Sequence, residues 1–235
     1  MKWYSIAFRC GLMAAASMAF AEPGGRENLG QFAIDRTEVT IGQFRKFIAD
    51  AALKTAAEQA GGGHEFAEGW VRRAGWTWST PFGQPGAGDE PAVHVSWSEA
   101  RDYCAAVGGR LPTLEEWEKA AYTETRANPG DDFVRGRTYP YPVGERPDGM
   151  NTSGRDRWPR HAAVGATKRG VNGLYDMGGN VWEWLADRRG DEALTAGGSW
   201  WYGADKTQLS AVQWKSADFY AVYIGFRCAY TFQQP

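Results

Sequence analysis

The glycine- and tryptophan-rich run near the C-terminus constrains the fold of this chain more than any other segment. Its three blocks are Gly-Leu-Tyr-Asp-Met-Gly-Gly-Asn-Val-Trp-Glu-Trp (173–184), Gly-Gly-Ser-Trp (197–200) and Gly-Phe-Arg-Cys (225–228). Glycine allows tight backbone turns, and tryptophan buries a large apolar surface. The whole chain of 235 residues contains 12 tryptophans and 30 glycines. This composition predicts a loop-rich fold that large aromatic side chains hold together, rather than a helix bundle.

The first 21 residues have the pattern of an export signal. Lys2 and Arg9 are basic, residues 10–20 are apolar and small, and Ala19-Phe20-Ala21 fits a small-x-small cleavage site with a cut after Ala21. The alternative is an uncleaved anchor, but the apolar run is shorter than the roughly 20 residues that a spanning helix needs. We therefore expect a periplasmic or secreted protein whose mature chain, residues 22–235, forms one domain.

Net charge limits the kinds of partner to expect, and cysteine content indicates how the thiols are used. Cleavage would change the formal net charge from −2 to −4, which leaves no basic surface for nucleic acid and no apolar span for a membrane. It would also remove Cys10 and leave Cys104 and Cys228. In an oxidising compartment such a pair is typical of one disulfide, the alternative being two buried free thiols.

Three capping boxes predict helices that begin after Thr40, Ser96 and Thr113, each followed by a one-sided apolar stripe. Strand-like runs lie at 32–35, 181–185 and 223–230. Long segments rich in glycine, proline and asparagine, at 61–92 and 128–172, are expected to be loops that aromatic side chains and metal ligands hold in place.

Several blocks of sequence, in order along the chain, resemble one family. They are Phe-Ala-Ile-Asp-Arg-Thr-Glu-Val-Thr (32–40), Glu-Pro-Ala-Val-His-Val-Ser-Trp (90–97), Arg-Leu-Pro-Thr-Leu-Glu-Glu-Trp-Glu (110–118) and the three C-terminal blocks. The chain resembles the formylglycine-generating enzyme, or sulfatase-modifying factor, family across nearly its whole mature length. The resemblance implies an α+β, C-type-lectin-like fold with little regular secondary structure, and a structural disulfide between Cys104 and Cys228.

The resemblance also implies two calcium sites. Calcium takes about six to eight oxygen ligands and accepts a mixture of carboxylates and backbone carbonyls. The ligands implied for the first site are Asn151, Thr152, Asp156 and Trp158, and those for the second are Asp176, Gly179, Val181 and Glu183. Without a metal, Asp176 would close an Asx turn and Glu183 would pair with Arg188.

The family's reactive thiol pair is missing from this chain. Formylglycine generation uses two cysteines shortly after Gly-Gly-Ser to bind copper(I), a soft ion that prefers thiolates. Tyr202 and Thr207 stand at those two places. Trp182 and Ser199 match positions that line the family's pocket, and Trp201 adds a further aromatic ring. We therefore expect no formylglycine synthesis by the copper–thiolate route.

Two function classes remain open. The first is an oxidative or accessory maturation factor for a periplasmic protein, peptide or aromatic small molecule, which would use the pocket of Trp182, Ser199 and Tyr202. The second is a non-catalytic lectin-like module that binds a peptide, a glycan or a partner protein. An iron or copper site built on His64, His94 or His161 has no supporting ligand spacing.

Overall fold

Capping boxes define the helix starts, as the sequence predicts. The structure, a computed structural model, describes residues 25–154 and 156–232. The long helices are α1 (Ile41–Ala51), α3 (Trp97–Ala106) and α4 (Leu114–Tyr122). Sequence analysis missed the short α2 (Ala56–Gln59), although Thr55 and Glu58 close a capping box before it. The Thr40, Thr55 and Thr113 hydroxyls each accept a hydrogen bond from the backbone N–H three residues later, which satisfies an orphan donor.

The described residues form nine strands in three sheets. The first sheet is antiparallel and has the order β1 (Arg26–Asn28), β2 (Phe32–Asp35), β9 (Ala229–Thr231). The second is a hairpin of β3 (Gly62–Phe66) and β4 (Trp70–Ala74). The third has the order β7 (Gln213–Ser216), β6 (Glu192–Ala196), β5 (Trp182–Arg189), β8 (Ile224–Gly225), with β5 and β8 parallel.

Two expectations from the sequence are wrong. The segment 61–92 is not a loop throughout, because the β3–β4 hairpin occupies its first half and places His64 in a strand. The run 223–230 is not one strand, because it leaves the third sheet after β8 and joins β2 of the first sheet as β9. Between β8 and β9 the fully buried Arg227 turns towards the interior, which interrupts the strand pairing.

The core lies between the sheets and the three longer helices. Phe44 of α1 contacts Trp78, Tyr103 and Phe226 with ring centroids 5.5 to 6.0 Å apart. Trp117 of α4 fills a second apolar cluster together with Tyr122. In the part of the chain that the structure describes, no helix is long and apolar enough to cross a membrane. The predicted signal peptide, residues 1–21, lies outside the described residues.

Candidate functional site

The predicted disulfide is present. Cys104 of α3 and Cys228, which lies just before β9, are both fully buried and bonded to each other, with Cα atoms 5.5 Å apart and 124 positions between them in sequence. The bond therefore ties a helix in the middle of the chain to its end. No free thiol remains among residues 25–154 and 156–232.

The Gly-Gly-Ser-Trp segment positions Tyr202 against the interior. Gly197 and Gly198 have φ values of +95° and +72°, in the left-handed region that favours glycine. The backbone N–H of Tyr202 then donates to the carbonyl of Ser199 at 2.9 Å. This turn brings the half-buried Tyr202 ring edge-on to the fully buried Trp182 ring, with a centroid distance of 5.7 Å.

Thr207, the second residue that the resemblance places at a thiol position, is held by its own turn. It ends a short 3₁₀ helix (Ala204–Thr207), is fully buried, and its hydroxyl donates to the carbonyl of Ala204 at 2.8 Å. Its methyl group lies 3.2 Å from where a Cβ at Gly198 would stand. The Thr207 hydroxyl is therefore engaged within the fold, whereas Tyr202 faces the aromatic side chains around Trp182.

Trp182 belongs to a chain of aromatic contacts that reaches the surface. We call the five residues of this chain the aromatic wall; they are Trp182, Tyr202, Tyr223, Trp70 and Phe219. Ring centroids are 6.2 Å apart for Tyr202 and Tyr223, 5.8 Å for Tyr223 and Trp70, and 4.6 Å for Trp70 and Phe219. Trp182 has no exposed surface, whereas Trp70 on the hairpin is 48% exposed. Sequence reasoning did not include Trp70, because the hairpin that carries it was expected to be loop.

Other aromatic residues of this region lie outside the wall. Trp201 is exposed and contacts Trp200 edge-on at 5.4 Å. Trp214 of β7 lies under the guanidinium of Arg189, at 4.5 Å, and packs against the second apolar cluster. Trp214 therefore supports the surrounding structure, whereas Trp201 is exposed beside Trp200, whose ring centroid lies 6.5 Å from that of Tyr223.

Lys215 is a charged residue that lies beside Trp182 of the aromatic wall. Its ammonium lies 5.4 Å from the centroid of the Trp182 ring and donates to the Gln213 amide oxygen at 2.7 Å. Burial lowers the pKa of Lys215 to about 8, and within the described residues no carboxylate pairs with it. Nothing in the sequence singles out this lysine, because strand pairing and not a local motif brings it beside Trp182.

The first predicted calcium loop is folded around a carboxylate. Asp156 accepts hydrogen bonds from the backbone N–H groups of Thr152, at 2.6 Å, and Trp158, at 2.7 Å. The Asn151 side chain is fully buried, and its amide nitrogen donates to Arg160 O and to Asn180 Oδ1. Its Oδ1 atom is buried, and none of the residues that the structure describes donates a hydrogen bond to it. A buried acceptor without a donor is costly, and a bound cation would satisfy it.

The second predicted loop contains more charge than the sequence indicates. Glu183 accepts two hydrogen bonds from Arg227, at 2.7 and 2.8 Å, and one from Trp117 Nε1 at 2.8 Å. The alternative pairing with Arg188 is wrong, since Arg188 donates to the carbonyls of Gly190 and Glu192. The Asx turn is also wrong, because Asp176 accepts instead from Gly165 N and Thr167 Oγ1.

Glu38, which sequence reasoning missed as a site residue, joins this buried charge cluster. Burial, together with the nearby Asp176 and Glu183 carboxylates, raises the pKa of Glu38 well above its ordinary value. Burial likewise raises the pKa of Asp176. Three buried carboxylates therefore surround Arg227, and the Asn180 side chain links them to the first loop by donating to Glu38 and accepting from Asn151.

The three histidines occupy separate environments. His64 Nδ1 lies 3.1 Å from the carbonyl of Tyr220. His94 is fully buried, and burial lowers its pKa to about 4. His161 bonds to Glu90 at 2.7 Å, and this hydrogen bond holds the pKa of Glu90 below its ordinary value. Among the described residues, no group of three or more His, Cys, Asp or Glu side chains is arranged to hold a metal ion.

The chain matches the sulfatase-modifying factor enzyme 1-like domain over residues 7–232 and therefore belongs to this family. An inactive C-alpha-formylglycine-generating enzyme 2 of Bos taurus is 30% identical over 90% of this chain and 84% of its own length. A formylglycine-generating enzyme of Thermomonospora curvata is 30% identical over 86% of this chain and 82% of its own length.

Solved structures agree with the fold. The structure of PvdO from Pseudomonas aeruginosa matches with a TM-score of 0.64 at 21% identity, covering 86% of this chain and 80% of that one. The α+β, C-type-lectin-like fold predicted from the sequence is therefore confirmed. Proteins of this family are known to bind calcium.

Proposed function

We propose that this protein is an exported accessory maturation factor that retains the family's scaffold and pocket without the copper–thiolate reaction. The observation that carries the proposal is the replacement of both thiol positions by Tyr202 and Thr207, with the remaining described cysteines bonded to each other. A phenol and a hydroxyl are hard oxygen groups and cannot supply the thiolate pair that copper(I) prefers. The similarity to a relative whose name marks it as inactive supports this proposal.

The aromatic wall supports a binding role for the same region. Aromatic side chains give a large contact area and lose little conformational entropy on binding. The exposed Trp70 is linked through Tyr223 to Tyr202, which contacts the buried Trp182, and Ser199 is buried in the same segment as Tyr202. The substrate to be matured is a periplasmic protein, a peptide or an aromatic small molecule.

Assays for thiols and for cysteine oxidation test this function directly. The mature chain should contain no titratable thiol when unfolded without reductant, and two after reduction, because Cys104 and Cys228 are bonded. Copper-loaded protein should not convert the cysteine of a sulfatase-motif peptide to formylglycine. The Thermomonospora curvata enzyme serves as positive control. Formylglycine formation above the no-enzyme background would overturn the proposal.

Calcium binding belongs to the proposed function as a structural staple. The first loop fits the ion, since Asn151 Oδ1 is a buried oxygen to which no described residue donates, and Asp156 supplies a carboxylate in the same loop. The carbonyls of Thr152 and Trp158 would complete this ligand set. The ligands predicted for the second loop are Asp176, Glu183 and the carbonyls of Gly179 and Val181. Both Glu183 oxygens already accept hydrogen bonds from Arg227 or Trp117, so the second loop fits an ion less well than the first.

We expect calcium to raise the melting temperature and EDTA to lower it. Calcium at about 100 times its Kd would add about 2.7 kcal/mol per site to the free energy of unfolding. Asn151→Leu, which removes the unpartnered oxygen, should reduce this calcium-dependent gain. Asp148→Asn changes a 62%-exposed carboxylate paired with Arg146 and is the matched control, for which we expect the full gain. Calorimetry with an equal calcium response in all three proteins would contradict a site at Asn151.

A lectin-like binding module without any chemistry is the second candidate, and the exposed Trp70 and Trp201 favour it. Elemental analysis of protein purified from the periplasm distinguishes the maturation factor from the binding module. Stoichiometric copper or iron would support an oxidative maturation factor, whereas calcium alone would support a scaffold that only binds.

A further inference from the structure

Lys215 is a cation in the site region without an acidic partner among the residues that the structure describes. Its ammonium donates a hydrogen bond to the neutral amide oxygen of Gln213, and burial lowers its pKa. Partly burying an ammonium without an acidic partner lowers the free energy of unfolding. An apolar side chain at this position would give a more stable fold, so stability alone does not explain the lysine.

The Trp182 ring beside Lys215 carries an unsatisfied hydrogen-bond donor. Trp182 Nε1 is buried, and no residue that the structure describes accepts a hydrogen bond from it. An indole N–H can only donate, so a ligand that carries an acceptor would satisfy it. The unpaired donor and the positive charge therefore lie side by side, and a carboxylate complements both.

The aromatic wall supplies the apolar part of such a site. Tyr202 is half-buried above Trp182, and Phe219 lies against Trp70 at the surface. Phe219 lies in the turn that follows β7, the strand of Lys215. The backbone N–H of Phe219 closes this turn by donating to the carbonyl of Ser216 at 3.0 Å. A planar ring placed here would contact aromatic faces while its anionic group reaches the ammonium.

We propose that the aromatic wall and Lys215 form a binding subsite for a small aromatic acid, with the carboxylate paired to Lys215 Nζ and the ring against Tyr202, the wall residue that packs edge-on against Trp182. The proposal rests on the proposed function, because it names the chemical class of ligand that the same pocket accepts. Lys215 is the residue that distinguishes an acid from its neutral analogue.

Binding of two matched probes tests the subsite. The probes are 4-hydroxyphenylacetate and its neutral amide, 4-hydroxyphenylacetamide, titrated into the full mature protein and followed by tryptophan fluorescence and the indole N–H signals in NMR. The acid should bind at least about tenfold more tightly than the amide, since a hydrogen-bonded ion pair separates them. Absence of acid binding, or equal affinity for both probes, would overturn the proposal.

Variants of Lys215 test whether this residue causes the preference for the acid over the amide. Lys215→Met should weaken acid binding by about tenfold or more and leave amide binding within about twofold, whereas Lys215→Arg should keep the preference for the acid. Lys206→Met is the matched control, because Lys206 lies on the neighbouring 3₁₀ turn and pairs with Asp205 at 3.1 Å. We expect it to change acid binding less than about twofold. Equal losses in Lys206→Met and Lys215→Met would contradict a specific role for Lys215.

Melting temperatures distinguish a ligand-binding role of Lys215 from a purely structural one. Since Lys215 is desolvated and has no acidic partner, Lys215→Met should melt at the same temperature as the parent or higher when no ligand is present. A lower melting temperature with unchanged acid binding would show that the lysine only supports the fold. The copper-dependent oxidation assay tests the proposed function and uses neither probe. Its result therefore does not depend on whether the two probes bind at this subsite.

Discussion

Replacing Arg227 by methionine is expected to lower the free energy of unfolding by about 3 to 5 kcal/mol, or to prevent folding. Arg227 and Glu183 have side-chain exposures of 0% and 1%, and their bidentate ion pair lies beside Glu38 and Asp176. Without the guanidinium, Glu183 would lose its ion-pair partner, and three buried carboxyl groups would remain without a cation among the described side chains that contact them. Urea denaturation in EDTA measures the loss directly, because calcium cannot then compensate the charge.

Two further variants make the result specific to buried charge. Arg189→Met removes an exposed arginine from a 2.7 Å pair with Glu192 and should cost less than about 1 kcal/mol. Adding Glu183→Gln to Arg227→Met should recover part of the lost stability, because one uncompensated carboxylate is removed. If Arg227→Met costs no more than Arg189→Met, the electrostatic interpretation of the cluster is wrong.

Removing the disulfide is the second change for which we expect a large effect. Cys104 and Cys228 are 124 positions apart, and the loop-entropy relation gives about 4 to 5 kcal/mol for a closed loop of that size. The double variant Cys104→Ala/Cys228→Ala should therefore melt roughly 10 °C or more below the parent. Calorimetry without reductant measures the difference.

Reductant supplies the control for the disulfide. Dithiothreitol should lower the melting temperature of the parent towards that of the double variant, and it should leave the double variant unchanged. A parent that melts at the same temperature with its thiols fully reduced would show that the cross-link does not limit stability.

The sequence predicted those elements that local chemistry determines. The capping boxes at Thr40, Ser96 and Thr113 fixed three helix starts, because they need only residues within one turn. Strand bounds were less accurate, and β5 extends four residues beyond the predicted end at Leu185. The β3–β4 hairpin was missed because its glycine-rich start is typical of a loop.

The candidate site depended on contacts that no local pattern encodes. Motif blocks located Trp182, Ser199 and Glu183, but the ion-pair partner of Glu183 is Arg227, 44 positions away, whereas the alternative to a calcium ligand that the sequence offered was the nearer Arg188. Glu38 lay within a matching block, and nothing in that block indicated a carboxylate buried beside two others. Lys215 reaches Trp182 through the order of strands in a sheet, which the sequence alone does not define.

Pairing of β2 with β9 has a consequence for how the chain acquires its structure. Phe32 lies opposite Thr231, so β2 pairs with β9, which comes after all the other described strands in the sequence. Arg227 and Cys228 belong to the same segment, just before β9. The electrostatic and covalent links that they form can therefore be completed only after the other described helices and strands have been synthesised. A chain that exposes only its first 220 residues lacks all three contacts, so β2, Glu183 and Cys104 would still be without these partners.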